Sequence, residues 1–309
     1  MRLGNADSTN RFEASWLVKP YALGFFRALA ALYVFGVLFA GLAWDCHRPT
    51  SPDGGSSCVA ARSSFAYFSI LAYWGQGFYF LTAAVHTFTY ARSGQALFNG
   101  LRGQRLLQSL HAVLYTTVIV FPLVVTAVYW GRLYAPGQLP APAAFDIWRA
   151  VSLHAINSAL ALAEIVLPRT PRPPWWHLAA LLVVLGSYLG VAYLHRAFTG
   201  VYVYDFLDSS GNSTGKYHHS PGLVAAHVFA IATACAVVFI LVVGAVALRQ
   251  WLTERKKLPV SNKKEEESVA EAAADGGAVD IEMVLNGCLP DESVVPVGSG
   301  SVSEDTPER

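Results

Sequence analysis

Residues 223–248 read LVAAHVFAIATACAVVFILVVGAVAL, from Leu223 to Leu248, with no Asp, Glu, Lys or Arg anywhere in the run. As an α-helix such a segment is about 39 Å long, enough to cross the roughly 30 Å hydrocarbon layer of a bilayer. A soluble helix needs a polar face, and this one has none to offer. The segment therefore reads as a membrane span, and it sets the search for others.

Five more blocks satisfy the same criterion: residues 21–44, 64–90, 106–130, 147–167 and 176–196. Between them lie loops rich in helix breakers, such as Pro49–Gly55, Pro136–Pro142, Pro168–Pro174 and Ser209–Gly222. Each loop is compact, so consecutive spans should alternate in direction within one bundle. The composition agrees: 54% of the 309 residues are hydrophobic and only 14% charged, where a soluble domain carries about a quarter. The reading is an all-α polytopic membrane protein, a six-helix transmembrane bundle with a disordered C-terminal tail. Residues 1–20 form a cytosolic N-terminal segment, 21–257 the membrane domain, and 258–309 an acidic tail too poor in apolar residues to fold. The N-terminal segment is too polar for a cleavable signal peptide. With a formal net charge of +1, no nucleic-acid partner is expected.

Lys and Arg near the span ends orient the bundle. The N-terminal segment, the second and fourth loops and the start of the tail together hold 14, among them Lys19, Arg92, Arg105, Arg169 and Arg249. The opposite loops hold 5: Arg48, Arg62, Arg132, Arg196 and Lys216. Both termini should be cytosolic. Cys46 and Cys58 then share a lumenal or extracellular loop, where they can form a disulfide or remain two thiols. Asn212-Ser213-Thr214 is an N-glycosylation sequon on that same side.

Polar groups inside spans are costly unless they pair or line a wet cavity, so each is informative. Ser69, Gln76 and His86 lie on the second span, His111 on the third, and His154, Asn157, Ser158 and Glu164 on the fourth. His195 and His227 end the lumenal layer on the fifth and sixth. Ser69 and Gln76 share one helix face, as do His154, Asn157 and Ser158. Counting from the lumenal ends of their spans, Ser69 and His154 come to similar depth, about 8 and 10 Å. A hydroxyl and an imidazole at one depth can act as nucleophile and base; equally, Ser69 can be a small packing residue and His154 a helix bridge. Gln76 and Asn157 suit interhelical hydrogen bonding, with Ser158 and His195 as further supporting groups. Arg27 on the first span either snorkels or pairs with Glu164.

These residues resemble the androgen-induced-protein family of six-span membrane hydrolases. Three stretches carry the likeness, which covers about residues 20–248. Ser64-Phe65-Ala66-Tyr67-Phe68-Ser69, with Gln76 seven residues on, is similar to the family's second-span segment, whose nucleophilic Thr corresponds to Ser69. Trp148, His154 and Glu164 reproduce the fourth-span spacing, in which the matching His is the base. Thr199-Gly200-Val201-Tyr202-Val203-Tyr204-Asp205-Phe206-Leu207-Asp208 is similar to a signature that follows the fifth span. Ser69 keeps the hydroxyl and loses a methyl, and Ala150-Val151 stands where an Asn-His pair is frequent. The resemblance implies hydrolysis of lipid esters, fatty acid esters of hydroxy fatty acids, by a Ser69–His154 dyad that needs no cofactor. Two other classes stay open: a non-catalytic lipid-binding or scaffold protein, and a haem-binding electron carrier using His86 with His111 or His154 with His195.

Overall fold

The computed structural model describes residues 11–47, 58–97, 104–134, 144–208 and 220–254. Asn212 and the acidic tail from residue 258 onward lie outside the described residues. The described chain is helical, without a strand. Helix α1 spans Pro20–His47, α2 Val59–Ser64, α3 Phe68–Ser93 and α4 Gln104–Val128. Helix α4 continues as a π-helix, Tyr129–Leu133. The next rod is α5 Ala144–Val151, a second π-helix Ser152–Ile156, and α6 Asn157–Val166. Helix α7 is Trp176–Thr199, a 3₁₀ turn covers Asp205–Leu207, and α8 is Pro221–Glu254.

Four helices are long and apolar enough to cross a membrane: Pro20–His47, Gln104–Leu133, Trp176–Thr199 and Pro221–Thr253. The second and fourth expected spans do not reach that composition, each for a local reason. Helix α3 has the length, 26 residues, but carries Gln76, Tyr79, His86 and Thr87, all of which it buries. The α5–α6 rod is divided by its π-helix.

Helices α1 and α3 pack against each other most extensively, with α4 against α3 and α6 against α4. Small residues permit the approach. A Cβ on Gly77 would lie 3.1 Å from both Phe35 and Val34, and one on Gly24 only 2.9 Å from the Phe88 ring. Where no water competes, such close van der Waals contact is a main source of helix association. The core runs through Tyr79, Phe80 and Ala83 of α3, Tyr115, Ile119 and Val124 of α4, and Leu181, Cys235 and Phe239 from α7 and α8. Helices α7 and α8 bury much less of their apolar surface than α1 and α4, leaving faces suited to lipid. Two helices end on left-handed glycines: Gly94 at φ 71° after α3 and Gly200 at φ 77° after α7. There a side chain would be strained, and the free amide returns to the last turn, to the carbonyls of Tyr90 and Arg196.

One end of the bundle is tied by an ion-pair network. Arg27 reaches Glu164 with Nε to Oε1 and Nη2 to Oε2, both 2.8 Å. Its Nη1 donates to the Phe12 carbonyl at 2.9 Å and to Thr87 Oγ1 at 2.6 Å. Tyr79 donates to Glu164 Oε2 at 2.9 Å. Of the two readings of Arg27, the pair with Glu164 is the one the fold adopts. The segment before α1 is stitched to residues 166–170: Ser15 Oγ donates to the Leu167 carbonyl at 2.5 Å, Trp16 Nε1 to Val166 at 2.6 Å, and the Arg169 amide to Ala14 at 2.8 Å. Arg249 of α8 closes the same end on Ile165 and Thr170.

Candidate functional site

At the other end, a disulfide joins Cys46, at the end of α1, to Cys58, just before α2. It ties the short α2 to the end of α1, against which α2 packs. Ser69 lies in the first turn of α3 and is half-buried. Among the described residues its hydroxyl has no hydrogen-bond partner, and neither has its amide.

His154 lies in the π-helix that divides α5 from α6. A π-turn inserts an extra residue, and such insertions concentrate at functional sites. The cause here is visible in the hydrogen bonds. The His154 carbonyl is drawn out by Thr126 Oγ1 at 2.8 Å and Trp130 Nε1 at 2.9 Å, both from α4 and its π-helical extension. Ser152 Oγ bonds back to the Trp148 carbonyl at 2.7 Å and meets the Tyr33 hydroxyl at 2.7 Å. The π-helix after α4 faces this one. Its Tyr129 ring stacks on the His154 ring at 3.6 Å with 3° between planes. The imidazole is thereby fixed in plane, while its Nδ1 is buried without a hydrogen-bond partner among the described residues. Buried polar atoms are nearly always paired, so an unpaired one marks a place where something else binds or reacts.

The supporting groups sort cleanly. Gln76 Nε2 donates to the Asn157 carbonyl at 2.9 Å, tying α3 to α6. Asn157 Oδ1 accepts from the Ser158 amide at 2.7 Å and lies 3.3 Å from Thr126 Oγ1. Ser158 Oγ sits 2.7 Å from Thr126 Oγ1 and donates to the Pro122 carbonyl at 2.9 Å. All three therefore hold helices together. His195 stands apart on α7, where Thr199 bonds its carbonyl at 2.8 Å and approaches its Nδ1 at 3.3 Å. No described hydrogen bond or ring contact joins it to His154.

The relation of Ser69 to His154 follows from helix register. Ile70 meets Leu153, Gln76 bonds Asn157, and further on Tyr79 bonds Glu164. The pairs ascend together, so α3 and the α5–α6 rod run the same way. That register puts Ser69 between level with His154 and about 6 Å short of it, little more than one helical turn at most. The two belong to one layer of the bundle, although no contact between their side chains is described. A cleft is lined by Leu42, Ser64, Ile70, Trp74, Arg149 and Leu153, the neighbours of Ser69 and His154 among them, and its Arg149 pairs with Asp45 at 2.7 Å. Its enclosed part holds about one water molecule. Tyr73, one turn beyond Ser69, adds a buried hydroxyl without a described partner.

Of the two histidine pairs offered for haem, His86 with His111 does not fit it. His86 and His111 stack face to face, 5.1 Å apart with 11° between planes. Their ring nitrogens point along parallel planes and cannot converge on one iron. No group of three or more His, Cys, Asp or Glu suited to a metal occurs among the described residues.

Tyr129, Thr126 and Trp130 were missed in the sequence, where the third span supplied only His111. A signal existed: Pro122, Thr126 and Tyr129 are spaced i, i+4, i+7 and share one face of that span. No family model, curated protein or solved structure matches this chain.

Proposed function

We propose that this protein is a six-span membrane hydrolase of lipid esters, with Ser69 as nucleophile, His154 as base, and both termini in the cytosol. The observation that carries the reading is the buried, unpartnered Nδ1 of a ring-stacked His154, in one layer with the unengaged hydroxyl of Ser69. The remaining two spans are α3 and the α5–α6 rod. Gln76, Tyr79 and Thr87 of α3 and Asn157, Ser158 and Glu164 of the rod are turned inward and bonded between helices, which removes the cost of placing them in hydrocarbon. The charge bias of the loops supports the orientation.

In this mechanism His154 Nδ1 takes the Ser69 proton as the hydroxyl oxygen attacks the ester carbonyl carbon. The tetrahedral intermediate collapses, and His154 returns the proton to the departing alcohol oxygen. Water, deprotonated by the same nitrogen, then attacks the acyl-enzyme; the fatty acid leaves and Ser69 recovers its proton. The Ser69 amide, open at the start of α3, is a donor available to the oxyanion. Glu164 plays no part in orienting His154, because Arg27 and Tyr79 engage it. The resemblance set out above points to fatty acid esters of hydroxy fatty acids as substrates.

A non-catalytic lipid-binding protein of the same fold is the second reading. It is favoured by the Ser69 and His154 side chains making no hydrogen bond with each other among the described residues. A fluorophosphonate decides between them. Expected is covalent label on Ser69, with label and ester hydrolysis both lost in Ser69→Ala and His154→Ala and partly kept in Ser69→Thr. Wild-type protein that takes no label and cleaves no lipid ester would leave the binding protein standing.

A further inference from the structure

The segment Thr199–Asp208 takes no part in the mechanism above, yet it is packed onto the start of the nucleophile's helix. Val203, Phe206 and Leu207 form one apolar cluster with Ala66 and with Ala192 and Val224 of α7 and α8. The Tyr204 ring meets Tyr67 edge-on at 5.8 Å and lies flat on Phe206 at 5.1 Å. Phe206 in turn stacks on His227 of α8. Burial pushes the Tyr204 phenol up, so its hydroxyl stays protonated over the physiological range.

That hydroxyl has a specific partner. The first amides of a helix have no acceptor within it and are normally capped by the residue just before. Tyr67 occupies that place in α3, and its side chain makes no cap. The Phe68 amide instead donates to Tyr204 Oη at 3.2 Å, across 136 residues of chain. Tyr188 of α7 donates to the Ala66 carbonyl at 2.9 Å. Two bonds therefore hold this turn, Phe68 N–H to the Tyr204 hydroxyl and the Tyr188 hydroxyl to the Ala66 carbonyl. The turn that ends one residue before Ser69 is thus clamped from α7 and the loop that follows it.

We propose that Tyr204 is a positioning residue for the Ser69 reaction, supplying from another loop the cap that fixes the first turn of α3. This role rests on the hydrolase reading. A nucleophile displaced by about 1 Å loses up to a hundredfold in rate, and the hydroxyl of Tyr204 is what removes that freedom from the turn.

The test compares wild type, Tyr204→Phe and Tyr202→Phe in lipid bicelles. Tyr202 is the control: it lies in the same loop, and its ring faces Arg196. Three quantities are read: the rate of fluorophosphonate labelling at Ser69, the thermal midpoint, and hydrogen exchange of the amides of residues 66–70. Tyr204→Phe should label about 10- to 100-fold more slowly, with KM for a lipid ester little changed and kcat reduced. Exchange at Phe68 should rise while the midpoint stays within a few degrees of wild type. Tyr202→Phe should match wild type throughout. Equal labelling of wild type and Tyr204→Phe overturns the positioning role alone, as does unchanged exchange at Phe68. Wild type that takes no label overturns the hydrolase reading and this role with it. Should Tyr204→Phe fail to fold, Tyr188→Phe releases the same turn from α7 and carries the same expectation.

Discussion

Glu164→Leu isolates what the buried ion pair contributes. Arg27 and Glu164 are 1% and 0% exposed, so neither charge regains water when its partner is removed. The substitution deletes two of the four hydrogen bonds of the Arg27 guanidinium, those from Nε and Nη2, and strands the Tyr79 hydroxyl. Breaking a buried pair from one side costs about 3–5 kcal/mol, and the orphaned Tyr79 adds about 1 kcal/mol or more. Arg27→Met should be similarly damaging, because Glu164 would keep only Tyr79. In Arg27→Met/Glu164→Leu no charge is left behind, so the double variant should be more stable than either single one. The cycle should show a coupling of roughly 3 kcal/mol. Reversible denaturation in bicelles measures all four proteins, and turnover per folded molecule should survive in the Glu164 variant because its carboxylate is structural. Additive single effects, or a Glu164→Leu protein within about 1 kcal/mol of wild type, would refute the reasoning.

Other outcomes follow from the same contacts. Ser158→Ala should keep most of the labelling and turnover, since that hydroxyl is committed to Thr126 and Pro122; a dead variant beside an active Ser69→Ala would move the nucleophile to Ser158. Cys46→Ser opens a 12-residue loop and should lower stability by about 2–3 kcal/mol, with full alkylation of both thiols in unreduced wild type arguing the other way. Protease added to sealed microsomes should remove the tail beyond residue 257 while the lumenal loops stay intact; a protected tail would reverse the orientation.

Much of the fold was legible because hydrocarbon imposes so simple a demand. Apolar length alone located α1, α4, α7 and α8, and loop charge supplied a direction. Spacing brought His154, Asn157 and Ser158 to one face and matched Ser69 to His154 in depth. The placement of Cys46 and Cys58 in one loop left bridge or thiols open, and the folded chain joins them. Helical period says which face a residue occupies and nothing about which helix that face meets. Hence Arg27 had two readings until packing set it against Glu164, and the Tyr129–His154 stack had none. The paired π-helices were equally invisible, since they arise when Thr126 and Trp130 reach across to a carbonyl on another rod. The same holds for Tyr204, whose amide partner is 136 residues away in the chain. Side-chain type, length and polarity are properties of the sequence; hydrogen-bond partners between distant segments exist only once α3, α4 and the α5–α6 rod are packed side by side, and that packing decides which hydroxyls and imidazoles are left unpaired.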